Sequence, residues 1–295
     1  MIASARPYIR SAKPADREAV LRFCENTWEW GDYIPLVWNR WLHEPASKAL
    51  VATMRSQPVA FGHVIMVAPG EAWLEGLRVD PVYHQKGLAT RLTQYLLVEA
   101  AKLGAGVARF ATSSKNIAVH RMSAKFSFTE VAAILPLHAE ATGMEHPLPY
   151  RPKPQALPNL LSFLEGSTVM AAMGGLYSTG WRFHSLNHDR IRESLNEGVV
   201  RIIGGPDIIS ALAIVEPGYP GEGLAVRYAD GQIDALIELA YELRVEAASY
   251  EPPQVSARLP DIPQVQQAFQ QAGYKPQAEN PFWIYQQVLG VSSPI

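Results

Sequence analysis

The sequence predicts an α/β protein: a mixed, mostly antiparallel sheet flanked by helices, followed by a second unit that is a reduced version of the first. Three observations carry this. From Tyr8 to Leu135 the pattern runs strand, two helices, three antiparallel strands, helix, strand, helix, strand, which is not the strict alternation of a doubly wound sheet. Within it, Trp73 to Leu97 passes from an apolar strand through a small-residue turn into an amphipathic helix, with Leu88, Leu92, Tyr95 and Leu96 at helical spacing. A proline-rich passage, Pro147 to Pro158, then precedes a run whose order repeats the later half of the first.

Composition bounds the reading. With 295 residues, 48% apolar and 18% charged, and a mean hydropathy of −0.04, the chain has room for two domains that each bury a core. The expected division is 1–146, a linker at 147–158, and 159–295. A formal charge of −2 offers no basic field for nucleic acid. The single cysteine, Cys24, rules out an internal disulfide and fits a buried helix position. With no apolar signal core and no run of membrane-spanning length, the expectation is a cytoplasmic protein, a monomer or homodimer without membrane contact.

Tyr8 to Ser11 reads as the first strand, and Pro14-Ala15-Asp16 opens a helix through Val20 to Phe23. Trp28 to Trp41 follows, holding four of the seven tryptophans. Its rings either pack helices on the sheet or line a pocket. Ala49 to Met54 and Val59 to Val67 form a hairpin around Arg55-Ser56-Gln57-Pro58, and Pro69-Gly70 turns the chain into Trp73 to Val79. After the helix ending at Leu103-Gly104, Val107 to Thr112 is a strand. Asn116 starts a helix marked by Ile117, Val119, Met122 and Phe126, and Val131 to Leu135 is the next strand.

The turn at Gln85-Lys86-Gly87-Leu88-Ala89-Thr90 leaves backbone N–H groups at the positive end of a helix dipole, which makes an anion site. Glu75 lies on the strand leading into it, beside Trp73, Leu74 and Leu77, whose apolar surfaces disfavour a charged carboxylate. It is a candidate base; the competing reading is an ion pair with Arg78 or another cation across the sheet.

Val79-Asp80-Pro81, the loop at Gly87-Leu88-Ala89, the helix after it, and Asn116 with Phe128 at the end of the next helix together resemble the GNAT N-acetyltransferase superfamily over roughly Tyr8 to Leu137. His84 stands where that family usually has Arg or Gln. The resemblance implies acetyl-CoA as cosubstrate. It implies amides of Gln85, Lys86, Gly87, Leu88, Ala89 and Thr90 around the pyrophosphate, the backbone of Leu77 and Val79 along the pantetheine, and Asn116 on the same arm. Asn116 also suits a helix N-cap. It implies direct attack of an amine on the thioester, with Glu75 as base. The family commonly places a tyrosine as acid where this chain has Ser123; Tyr83 and His120 are the substitutes, or water.

Asp32-Tyr33-Ile34-Pro35, Trp41-Leu42-His43-Glu44-Pro45 and Leu74 to Val79 are further similar to the vertebrate histidine N-acetyltransferase branch of that superfamily. This implies a small amine acceptor, such as a free amino acid, with Trp28, Tyr33 and Trp38 lining its pocket and Arg78 or Arg40 meeting a carboxylate. The alternative is a non-catalytic acyl-CoA sensor or interaction protein that has lost acid chemistry at Ser123.

In the second unit Val199 to Ile203, Ile208 to Val215, Leu224 to Tyr228, Val255 to Leu259 and Phe282 to Val288 read as strands, and Ile233 to Glu246 and Ile262 to Ala272 as helices. The order and the Gln270-Gln271-Ala272-Gly273-Tyr274 corner suggest a degenerate GNAT copy. Its turn, Tyr228-Ala229-Asp230-Gly231-Gln232, lacks a phosphate loop, and Asp230 would repel an anion. His184, His188 and Asp189 lack a third ligand at supporting spacing, so no metal is expected.

Overall fold

The structure is a computed structural model and describes residues 7–27, 31–143, 146–219 and 221–290. Its elements in chain order are β1 (Tyr8–Ser11), α1 (Arg17–Cys24), α2 (Ile34–His43), β2 (Ser47–Met54), β3 (Gln57–Ala68), β4 (Glu71–Val79), α3 (Leu88–Lys102), β5 (Val107–Ser113), α4 (Ile117–Lys125) and β6 (Thr129–Glu140). There follow α5 (Leu157–Leu164), α6 (Thr168–Ala172), β7 (Leu176–Thr179), β8 (Arg182–Ser185), α7 (His188–Asn196), β9 (Val200–Gly204), β10 (Ile209–Pro217) and β11 (Leu224–Gly231). The chain closes with α8 (Ile233–Glu246), β12 (Gln254–Pro260), α9 (Pro263–Gln271), β13 (Lys275–Pro276) and β14 (Phe282–Val288).

Two compact units emerge, and their bounds differ from a simple division at the proline-rich passage. The first comprises 1–110, 122–128 and 286–295; the second comprises 111–121 and 129–285. Thus β6 belongs with the second unit.

In the first unit, strands β1 to β5 stand in chain order, antiparallel except for the parallel β4–β5 pair. The expected mixed, mostly antiparallel sheet is therefore present. One face is covered by α3, which approaches so closely that a Cβ on Gly62 would lie 2.9 Å from Leu96 Cδ1. The other core, around α1 and α2, gathers Val20, Cys24, Ile34, Trp38, Trp41 and Phe61. Each such large apolar side chain contributes about 1.5–3 kcal/mol on burial. Pro35 in the first turn of α2, and the Asp32 carboxylate accepting from Ile34 N–H at 3.0 Å, start that helix at a fixed place.

The second unit carries strands in the order β6-β12-β11-β10-β9, with β11–β12 parallel and the other pairs antiparallel. The hairpin β7–β8 is a separate small sheet packed on β11. The segment from α5 to α7 has no counterpart in the sequence reading. His184 lies on β8 and His188 begins α7, and no metal-competent cluster exists among the described residues. No helix of the described residues is long and apolar enough to cross a membrane.

Candidate active site

Chain direction fixes the loop after β4. Asp80 Oδ1 accepts from Val82 N–H at 2.9 Å, closing a 3-10 turn over Pro81–Tyr83. His84 Nε2 then bonds back to the Val79 carbonyl at 2.9 Å. The residue that departs from the family pattern thereby ties the loop to the strand that precedes it. Gln85 and Gly87 take φ of 60° and 74°, a left-handed conformation that glycine adopts without strain. The first bond of the α3 ladder runs from Arg91 N–H to the Gly87 carbonyl at 3.0 Å, and the N–H groups from Gln85 to Thr90 have no backbone acceptor among the described residues. These donors, exposed at the positive end of a 15-residue helix, suit a phosphate. Lys86 donates to the Val82 carbonyl at 3.1 Å and rests 4.7 Å from the Tyr83 ring centre, so its charge sits at the loop's rim.

The strand feeding this loop is distorted. Opposite β3, His63 faces Glu75 and Phe61 faces Arg78, so Gly76 and Leu77 together stand against Gly62 in a β-bulge. Gly76 has φ 66°, and a Cβ there would lie 2.5 Å from Trp41 Cζ3. Only glycine lets the strand bend over that indole. On the other side, the β4–β5 register ends at Trp73↔Arg109. The backbone of Leu77 and Val79 therefore lies beyond the pairs registered with β5.

Glu75 points from this strand with its side chain 13% exposed and Oε1 2.9 Å from His63 Nδ1. His63 is fully buried and stacks on Trp41, ring centres 4.4 Å apart and planes within 2°. A carboxylate only accepts, so an ionised Glu75 places the hydrogen on Nδ1. Nε2 of His63 and Nε1 of Trp38 and Trp41 are buried without hydrogen-bond partners among the described residues. Beside this group, Arg78 grips Asp32 with Nε–Oδ2 at 2.7 Å and Nη2–Oδ1 at 3.3 Å, and its guanidinium lies 5.4 Å from the Tyr33 ring centre. Burial pushes the Tyr33 phenol up to about 12, with Arg78 opposing.

Several expected roles change. Arg78, expected to meet an acceptor's carboxylate, pairs instead with the Asp32 carboxylate within the chain. The partner across the sheet from Glu75 is the His63 ring, while Arg78 pairs with Asp32. Trp38 is 1% exposed and packs on Phe61 at 5.3 Å, a core residue and not a pocket wall. Ser123, also 1% exposed, is enclosed within the first unit. Asn116 lies in the second unit and serves as an N-cap, its Oδ1 accepting from Val119 N–H at 3.3 Å and its Nδ2 donating to Thr112 Oγ1 at 3.1 Å. His120 engages both ring nitrogens, with the Ser114 carbonyl and the Tyr285 hydroxyl each at 3.0 Å. Tyr83 is half-buried in the loop, Arg40 is exposed on α2, and Trp28 falls outside the described residues.

Two residues went unread in the sequence, His63 and Asp32 in its pairing role. The Pro69-Gly70 turn carried no signal for His63: counting back from Ala68↔Glu71 brings Val64 opposite Glu75, and only the register shift between Met66 and Ala68 puts His63 there.

Residues 17–128 match the sequence profile of the Acetyltransferase (GNAT) family. Among solved structures, a Thermoplasma acidophilum protein assigned as an acetyltransferase aligns over 96% of this chain and 100% of its own, at 16% identity and TM-score 0.59. A GCN5-related N-acetyltransferase from Sphaerobacter thermophilus aligns over 95% of both chains, at 11% identity and TM-score 0.58. These likenesses show a shared fold along nearly the whole chain. No curated protein matches, so the resemblance to the vertebrate histidine-acetylating branch finds no support there.

Proposed function

We infer, from the premise that the chain is a GNAT N-acetyltransferase through residues 17–128, that it acetylates the primary amine of a small molecule by direct attack, with Glu75 as the base. The observation that carries this is Glu75 on the bulged strand, held by His63, with the amide loop at the end of the same strand. Acetyl-CoA is the cosubstrate and brings an activated thioester carbonyl.

The chain's residues divide the remaining tasks. Amides from Gln85 to Thr90 receive the pyrophosphate, and Lys86 adds positive charge at the rim. The backbone of Leu77 and Val79 pairs with the pantetheine amides in the place of a neighbouring strand. Glu75 removes the ammonium proton, which makes the nitrogen lone pair available. Two carboxylates, Glu75 and Asp32, against one guanidinium, Arg78, leave this corner with net charge −1, which attracts a cationic amine. With Ser123 buried, water supplies the proton that leaves with the thiol.

The second unit reads as a degenerate copy. Its β9-β10-β11-α8-β12-α9 order, with one parallel pair after two antiparallel ones, repeats β2-β3-β4-α3-β5-α4. Its turn lacks the loop: α8 begins directly after Gln232, whose φ is −68°. Asp230 is buried there, accepting from the Tyr228 hydroxyl at 2.8 Å and the Ser167 hydroxyl at 2.5 Å.

The test is thiol release from acetyl-CoA across a panel of amino acids, polyamines, aryl amines and short peptides. At least one small amine should give saturable turnover. Thiol release with peptide amino termini only would overturn the small-molecule reading.

A further inference from the structure

We propose that the second unit holds an oxyanion, the carboxylate or phosphate group of a small ligand, between β11 and β12. Arg227 on β11 and Arg258 on β12 directly follow the last registered pair, Val226↔Ala257, so their side chains leave neighbouring strands where the parallel ladder ends. Ser256 lies two residues before Arg258 and faces the same way, since successive side chains alternate across a sheet. All three are buried, Arg227 at 4%, Ser256 at 5% and Arg258 at 6% exposed.

The polar atoms of this layer are incompletely matched. Arg227 Nη1, Arg258 Nε, Ser256 Oγ and, from α7, Arg190 Nε have no hydrogen-bond partner among the described residues. Guanidinium nitrogens only donate, and the hydroxyl also can. Leaving such a donor buried and unmatched costs about 1–3 kcal/mol, so the set calls for an acceptor. The charge count agrees. Glu216 bridges Arg190 at 3.0 Å and Arg227 at 3.3 Å, while Glu222 takes Arg258 at 2.6 Å. Three guanidinium groups thus share two carboxylates within the layer. The other partners of Arg190, Glu193 and Glu197, are 61% and 51% exposed and screened by solvent. Trp181, in the turn between β7 and β8, lies 4.8 Å over the Arg258 guanidinium and is 41% exposed, a rim through which a ligand can enter. This site depends on side chains, unlike the amide loop of the first unit, and stands whether or not the acetyl-transfer reading does.

The experiment is calorimetric titration of the full chain with sodium phosphate and with sodium acetate, against sodium chloride at matched ionic strength. Saturable binding of one oxyanion is expected, and which one binds tells a phosphoryl from a carboxylate ligand. Arg258→Met should weaken that binding about tenfold or more. Ser256→Ala, which alters little volume and keeps the fold, should weaken it several-fold. If chloride reproduces the heat, or if both variants titrate like the wild type, the site does not exist; the latter outcome would assign the binding to the first unit's loop.

Discussion

Glu75 is useful as a base only if its carboxylate is held at the edge of the sheet while remaining able to gain a proton. The His63 ring provides that hold, and the Trp41 indole fixes the ring by stacking flat against it. His63→Phe keeps the stack and removes the donor. It should lower kcat about 10- to 100-fold and alter the acidic limb of the kcat pH profile, with little change in KM for acetyl-CoA. His63→Asn should recover part of the loss, and an unaltered profile in the Phe variant would remove the positioning role. Glu75 stood out as a candidate in the sequence because a carboxylate inside an apolar strand is unusual. His63 did not, because a histidine within Val59 to Val67 looks like any half-buried strand residue until the hairpin register pairs it. The Arg78–Asp32 pair was not foreseen for a related reason: Asp32 lies 46 positions away, and no local pattern announces that pair.

At the scale of elements, β4 is irregular where Glu75 leaves it. The Gly76 bulge displaces the pairing with β3, and the pairs registered with β5 end at Trp73↔Arg109. Gly76→Ala places a methyl at φ 66° into the Trp41 ring. It should cost roughly 2–4 kcal/mol, from left-handed strain plus overpacking, read as a lower denaturation midpoint. A midpoint within experimental error of the wild type would show that the indole yields. The strand, loop and helix around Gly87 were readable because small residues followed by helical periodicity have few other solutions. The bulge was not, because Glu75-Gly76-Leu77 carries no mark of an extra residue until the opposite strand is placed.

Across the whole molecule, the repeated order of strands and helices came through from periodicity, while the unit bounds did not. A linker rich in proline suggests a boundary, yet β6 joins the second unit and Gln286 onward joins the first, where Gln286 accepts from Arg109 Nε at 2.7 Å. Such exchange depends on long-range strand pairing, which a linear pattern does not encode. The stretch from α5 to α7 was also missed, since its short elements fall below the length at which periodicity speaks. Both units bury tyrosines: Tyr33 is pushed up to about 12, and burial raises Tyr177, Tyr228 and Tyr274 still further. With folded values above the ordinary 10.0, the unfolded chain loses these protons first. The stability they confer is complete below pH 10 and should decline as pH rises through 12. Chemical denaturation between pH 8 and 12 should show a midpoint that begins to fall near 9, where the buried Cys24 thiol, raised to about 12, adds to the tyrosines, and falls more steeply above 10. A midpoint unchanged to pH 12 would mean that these phenols titrate in the folded state.

The most direct test of the acetyl-transfer account is the pH dependence of kcat/KM for Glu75→Gln with an amine that the wild type accepts. The variant should bind acetyl-CoA as the wild type does and be slower by about 100-fold or more well below the amine's own pKa. The deficit should shrink as the pH approaches that pKa, where the amine arrives unprotonated. A ratio of variant to wild type near one across the whole range would contradict Glu75 as the base.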